Sequence, residues 1–250
     1  METGKSLRDS QIIILGICIA VATIVASLIL SKGFMAVVKF NQQVVTVTGS
    51  AQKNIKSDKI VWKAIFSRRE HDLPAGYKKI REDLDKVKKY LTDQGVADNE
   101  IIIQQIVTEK VFKKTPKEGK DTNEIDYYAL TQPIEVWSTQ VDKIAGVSRG
   151  STELINQNIA FESGAPEYYY TQLDALKIEM LALATENAKQ RAENMVKATG
   201  NKIGFIRSAR MGVFQITPVN STEVSDYGQN DTTSLEKKVT AVVNAGFSIQ

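Results

Sequence analysis

The chain begins with an unbroken apolar run and then settles into short alternating and helical patterns. Ile12 to Leu30 is nineteen residues without a charge or a proline, with Thr23 and Ser27 as the polar interruptions. At about 1.5 Å per residue a helix of this length covers about 28 Å, close to the hydrocarbon thickness of a bilayer. The run ends in LILSKGF, where no good cleavage site is visible, which predicts a retained signal anchor and not a removed leader. The expected layout is a cytoplasmic tail at 1–10, a transmembrane anchor at 11–31, a juxtamembrane linker at 32–42 and an exported domain at 43–250. Lys5 and Arg8 precede the run and Lys32 and Lys39 follow it, so charge bias alone does not orient it. The short tail favours insertion with the N-terminus inside.

Beyond Gln42 the period becomes two. Val45, Val47 and Gly49 alternate with Thr46 and Thr48, and Ile60–Ser67 continues after a polar turn, which predicts a β-hairpin. A helix is expected from His71-Asp72, with Leu73, Tyr77, Ile80, Leu84, Val87 and Leu91 at three- and four-residue steps and Gly95 at its end. Strands follow at Ile101–Val111 and Tyr127–Trp137, joined through the polar segment Lys113–Asn123. A short helix at Asp142–Thr152 and a strand at Leu154–Phe161 come next. Pro166 is expected to open a long helix to Thr199, closed by Gly200. Strands at Ile203–Ile216 and Leu235–Ile249 flank a Ser/Asn/Asp/Gly-rich loop at 217–233. The order ββαββ-αβ-αββ predicts an α+β fold, an antiparallel or mixed sheet with helices on one face. With no Pro/Gly linker to divide it, residues 41–250 read as one folded unit.

Charge changes the picture little. The formal net charge is +3, but Lys5, Arg8, Lys32 and Lys39 against Glu2 and Asp9 place most of that excess beside the apolar run. The remaining body is nearly neutral, which argues against nucleic acid as a partner. The one cysteine, Cys18, lies within the apolar run, so the body has no disulfide framework and no Cys-rich metal site.

Catalytic chemistry is hard to find. No H-E-x-x-H, C-x-x-C, phosphate-binding glycine loop or G-x-S-x-G occurs. The one histidine, His71, sits in Arg68-Arg69-Glu70-His71-Asp72 at a helix boundary, where an exposed position is expected. Carboxylates gather at Glu118–Asp126 and Glu223–Asp231, and Lys113, Lys114, Lys117 and Lys120 share one loop. Both groups read as solvated loop charges. No catalytic, cofactor-binding or metal-ligating residue is assigned. Tyr168, Tyr169 and Tyr170 stand out instead. Three consecutive tyrosines on a helix cannot all face one core, which makes them candidate interface residues.

Three segments carry a family resemblance: VTVTGSAQKNIKSDKIVW at 45–62, YLTDQGVADNEIIIQ at 90–104 and LALATENAKQRAENMVKATGNKIGFIRSA at 181–209. In this order they resemble the SIMPL-domain family of bacterial exported or membrane-anchored proteins. MGVFQITPVN at 211–220 and SLEKKVTAVVNAGFSI at 234–249 resemble one membrane-anchored branch of it. The resemblance implies an α+β exported domain, association with stress defence and assembly into ring-like homo-oligomers. It implies no common reaction and no catalytic residue set.

The expected function is therefore a non-enzymatic scaffold without a cofactor. It is held in the bacterial inner membrane by residues 12–30, with its C-terminal domain in the periplasm. Its partners are the bilayer, copies of itself and an unspecified envelope protein. An alternative reading is an anchored receptor or adaptor that binds a peptide, glycan or protein through loops 113–123 and 217–233.

Overall fold

A computed structural model describes residues 3–42, 44–115 and 119–250. In chain order its elements are α1 (Thr3–Gln42), β1 (Val44–Lys56), β2 (Lys59–Glu70), α2 (Leu73–Asp93), β3 (Ile101–Ile103), β4 (Val107–Lys114) and β5 (Asp121–Ser138). They continue with α3 (Val141–Gly150), β6 (Ala160–Ser163), β7 (Glu167–Tyr169), α4 (Leu173–Lys197), β8 (Ile203–Met211), β9 (Gln215–Pro218), β10 (Gln229–Asn230) and β11 (Glu236–Ile249). The fold class is α+β. In place of one folded unit, the chain divides into two compact units, with boundaries inside β1, α4 and β11. Because the boundaries lie within regular elements, no linker composition marks them.

One unit comprises Gln52–Met180 and Val213–Ala241. Its centre is the antiparallel pair β2–β5, in register from Ile60 opposite Ser138 to Glu70 opposite Tyr128. β3 and β4 pair with β5, and β6 and β7 pair with β2. Ile60, Trp62, Ala64 and Phe66 alternate inward beside Leu130, Ile134 and Val136. This face packs against α2 and α3, placing both helices on one side of the six-stranded sheet. In α2 the buried positions Gly76, Ile80, Asp83, Val87 and Leu91 recur at helical spacing. The Asp72 side chain accepts the Ala75 amide at 2.9 Å and caps the helix.

One of those buried positions is a charge. Asp83 is 1% exposed and accepts both Arg68 Nη2, at 2.7 Å, and Arg68 Nε. This bidentate bond, ahead of an opposing cost of burial, raises the Arg68 pKa above its usual value.

The other unit comprises Met1–Ala51, Leu181–Gly212 and Val242–Gln250. Here α1 runs without a break through residues 32–42, where a linker was expected; no proline interrupts that stretch. Its apolar part, Leu15–Met35, is 21 residues long and wholly exposed. β1 pairs with β11. Val44 and Thr46 lie beside Gly246, while Thr48 bonds Asn244 at 2.6 Å, so the two strands run in opposite directions. β8 lies antiparallel to β11, from Ile203 opposite Ile249 to Met211 opposite Val243.

Several expectations change. β1 and β2 do not form a hairpin, because they belong to different sheets and β1 takes the C-terminal strand as its partner. The strand expected at Leu154–Phe161 is mostly a 3-10 turn, Ser151–Gln157, closed by Asn158 at φ 59°. Leu154 and Ile159 are both buried, but from either side of that turn. The strand expected at Ile101–Val111 is divided into β3 and β4, and that at Ile203–Ile216 into β8 and β9. The buried ridge of α4 runs Leu176, Met180, Ala184, Ala188, Ala192 and Val196, while Leu183 and Met195 are exposed.

The alanines on this ridge set how closely β1 approaches. A Cβ at Gly49 would fall on the Ala184 carbonyl oxygen and the Ala188 amide nitrogen, and 2.6 Å from the Ala188 Cβ. The contact is tied by Ser50 N–H donating to Asn187 Oδ1 at 3.1 Å and by Arg191 donating to the Thr48 carbonyl at 3.0 Å. Gly49→Ala should therefore destabilise the protein by about 2–3 kcal/mol through overpacking. Gly146, within α3, has open space around its Cβ position, so Gly146→Ala should stabilise by about 0.5–1 kcal/mol. Thermal unfolding of the two variants checks the contrast. Arg68→Ala strands the buried Asp83 carboxylate, with Lys86 Nζ 4.0 Å away as remaining cation. It should cost about 3 kcal/mol by denaturant titration.

Candidate functional site

Tyr168, Tyr169 and Tyr170 do not begin the long helix. Tyr168 and Tyr169 lie on β7, opposite Ile60 and Lys59 of β2, and α4 starts only at Leu173. Aromatic side chains favour strands, and Asp58 holds the connection by accepting the Thr171 amide at 2.8 Å and hydroxyl at 2.7 Å. The strand geometry separates the three rings. Tyr168 packs partly buried against the main core, and Tyr170 is half-buried. Tyr169 is exposed and donates to Glu167 Oε2 at 2.6 Å. That bond, then burial, raises the Tyr169 pKa.

Behind these residues lies a cavity of about 60 Å³, bounded by Ile55, Tyr168, Leu173, Ile216 and Lys237 among others. It has room for one or two waters and none for a sugar or a peptide side chain. Lys237 is 3% exposed. Its ammonium donates to the Tyr168 carbonyl at 2.6 Å and to the Asp231 carbonyl. Burial lowers the Lys237 pKa, opposed by the Asp231 charge. Burial also pushes the Asp231 carboxyl up, but bonds from the Thr233 hydroxyl and amide, Ser234 and the Lys237 charge outweigh it and hold it below its usual value. A lysine with a lowered pKa can serve as a nucleophile. Here two of its three donors are held by backbone carbonyls, which makes Lys237 a bolt between β7, the 217–233 segment and β11. The signal for it was present in the sequence: period two puts Lys237 on the same side as the buried Val239 and Ala241.

The other candidates stay apart. His71 is exposed, with Nδ1 2.6 Å from the Asp126 carbonyl oxygen. No group of three or more His, Cys, Asp or Glu side chains converges on a common point among the described residues. Lys113 pairs with Glu124 at 3.1 Å across the β4–β5 hairpin. Lys117 and Glu118 lie outside the described residues. The 217–233 loop is organised by Gln215, whose amide group donates to the Ser225 carbonyl at 2.7 Å and accepts its N–H at 3.3 Å. It presents Val224 and Tyr227, 80% and 96% exposed.

A strand edge is also left open. β8 pairs with β11 on one side, and among the described residues no strand pairs with its other side. Phe205, Ile206 and Met211 along it are 78%, 48% and 58% exposed. An edge of this kind carries a row of backbone donors and acceptors and can take a further strand. The register with β11 is regular over Ser208–Met211 and irregular between Ser208 and Ile203. The sequence predicts one strand over Ile203–Ile216 and does not tell which strand of the sheet is left at an edge.

Lys237 provides a measurable test of the buried bolt. Its folded value lies below the ordinary 10.5 of the unfolded chain. The unfolded chain therefore holds the proton to higher pH, and the cost of burying the charge is relieved as pH rises from the folded value towards 10.5. The stability of the native protein relative to Lys237→Met should rise through that window. At neutral pH, Lys237→Met should cost about 1–3 kcal/mol because two carbonyl groups lose their donor. Chemical denaturation of both proteins from neutral to alkaline pH measures both effects.

The family described as SIMPL, a protein of unknown function (DUF541), matches residues 45–247. No curated protein matches the chain. The match runs from β1 through most of β11, including the Gly49–Ala188 approach, the buried Lys237 and the β8 edge. The chain belongs to the SIMPL (DUF541) family.

Proposed function

We propose that this protein is a non-enzymatic scaffold anchored once in the bacterial inner membrane, with its exported domain in the periplasm. Its chains assemble laterally into a ring-like homo-oligomer that serves envelope stress defence. The open edge of β8 carries this reading. The apolar span of α1 supports the anchor, and the family match supports the exported body.

Strand direction favours a ring over a simple dimer. β1 follows α1 with one residue between, β11 runs antiparallel to β1, and β8 runs antiparallel to β11. Two copies of β8 paired antiparallel to each other would carry their anchors at opposite ends, which one bilayer does not allow. Pairing must then join β8 to a different edge of the next copy. Such a head-to-tail contact repeats around an axis, and the ring is the closed form of that repeat. Each added chain also adds an anchor, so weak contacts accumulate into avidity.

A second reading, an adaptor that binds a peptide, glycan or partner protein, is supported by Val224 and Tyr227 on the organised 217–233 loop. The 113–123 loop belongs to the same reading. Light scattering of the full-length protein in mild detergent distinguishes the two. The scaffold reading expects a discrete species of several chains, and Ala209→Lys with Met211→Lys should convert it to monomer with unchanged thermal stability. A monomeric parent protein defeats this reading. Tyr227→Ala should leave the size unchanged and, on the adaptor reading, abolish capture of an envelope partner.

A further inference from the structure

We propose that the anchor-proximal end of the unit containing α1 rests on the bilayer surface. Phe205 enters the lipid interface there, and Lys197 and Lys202 hold anionic phospholipid headgroups. This rests on α1 being a membrane anchor and is independent of self-assembly.

The placement follows from strand directions. Val44, the first residue of β1, sits at the level of Gly246 to Ser248, and the same end of β11 pairs with the start of β8. Lys202 closes this end through reciprocal backbone bonds with Gln250 at 2.9 and 2.7 Å. α4 runs back along β1, with Asn187 at Ser50 and Arg191 at Thr48, so its C-terminal Lys197 arrives at that end too. The apolar span finishes at Met35, and α1 continues for seven residues to Gln42. At about 1.5 Å per residue this is roughly 10 Å. The headgroup layer is about 5–8 Å deep on each side, and a phenylalanine or lysine side chain projecting from this end spans the remainder.

The chemistry of this end suits a lipid surface. Phe205 is 78% exposed and neighbours Ile206, an arrangement without explanation in a domain surrounded by water. Beside it an open cleft of about 470 Å³ is lined by Lys197, Gly200, Asn201, Lys202 and Ile203, with Glu193 at its rim. Glu193 is engaged by Lys189 at 3.9 Å, whereas Lys197 and Lys202 make no ion pair among the described residues. An aromatic flanked by lysines is the pattern of an interfacial anchor beside acidic lipid. The irregular register of Ile203–Ser208 sets this end apart from the regular Ser208–Met211 edge, because a bulged strand is a poor template for a further strand.

The test uses the full-length chain with Cys18→Ser, and with Phe205→Cys or Met211→Cys carrying an environment-sensitive nitrobenzoxadiazole label. The protein is reconstituted into phosphatidylcholine vesicles with or without phosphatidylglycerol, and with lipids bearing a spin-label quencher. Position 211 lies six residues further along β8, about 20 Å from position 205, and acts as the internal reference. The label at 205 should shift to the blue and be quenched by lipid in phosphatidylglycerol vesicles, while the label at 211 should not be quenched by lipid. Lys197→Gln and Lys202→Gln should each weaken the quenching about fivefold, with thermal unfolding close to that of the parent. A blue shift without lipid quenching would mean a protein contact and would overturn the proposal. Equal quenching in phosphatidylcholine alone would overturn the headgroup role of the lysines. Failure of the full chain to float with vesicles would overturn the anchor and this proposal together; flotation with an unquenched 205 label overturns the proposal alone.

Discussion

The pairing of β1 with β11 is the constraint on which the rest of the α1-containing unit depends. It joins the strand that follows the apolar helix to the last strand of the chain, and so sets which end of the sheet lies next to that helix. β8 inherits its direction from β11, and α4 inherits its approach from β1. The Gly49 contact with Ala184 and Ala188 makes that approach possible: the Ser50 N–H can reach Asn187 on α4, and Arg191 of α4 can reach the Thr48 carbonyl, only because no side chain intervenes. A close approach of backbone to helix replaces side-chain volume with van der Waals contact along the whole interface, and it tolerates no enlargement.

Charge is used inside the other unit for a different purpose. Asp83 and Lys237 are both nearly inaccessible, yet neither meets a substrate-sized space. Asp83 takes a bidentate partner from the neighbouring strand, and Lys237 donates to the carbonyls of two separate segments. Buried ionised groups of this kind are costly to leave unpaired, so they specify one arrangement of loop and strand more strictly than an apolar contact would.

The functional picture follows from surfaces and not from a pocket. An exposed apolar helix of bilayer length, an unpaired strand edge beside it and an apolar-basic end between them all belong to the same unit. Each is a surface that water satisfies poorly. Lipid suits the first and the last, and a second strand suits the edge. These demands are compatible, because the edge runs along the domain while the apolar-basic surface lies at the end where β1 begins.

Much of this was legible without coordinates. The apolar run, the period-two strands, the Ile80–Val87–Leu91 face of α2 and the turn at Gly200 are local patterns, and local patterns register in composition and spacing. The tyrosine triplet was misread because three aromatics after a proline are compatible with either a helix start or a strand. The choice was made by pairing with β2 and by the Asp58 bonds to Thr171, contacts from a distant part of the chain. The hairpin expected for β1 and β2 failed for the same reason: adjacency suggests pairing, but hydrogen-bonding partners are chosen by the whole fold. The sequence by itself determined that an alternating, disulfide-free α+β body follows a membrane-length helix. Only the tertiary structure decided that β1 pairs with β11, that Lys237 is buried and that β8 is left with an open edge. Periodicity reports which face of an element turns inward; it does not carry the identity of what meets that face.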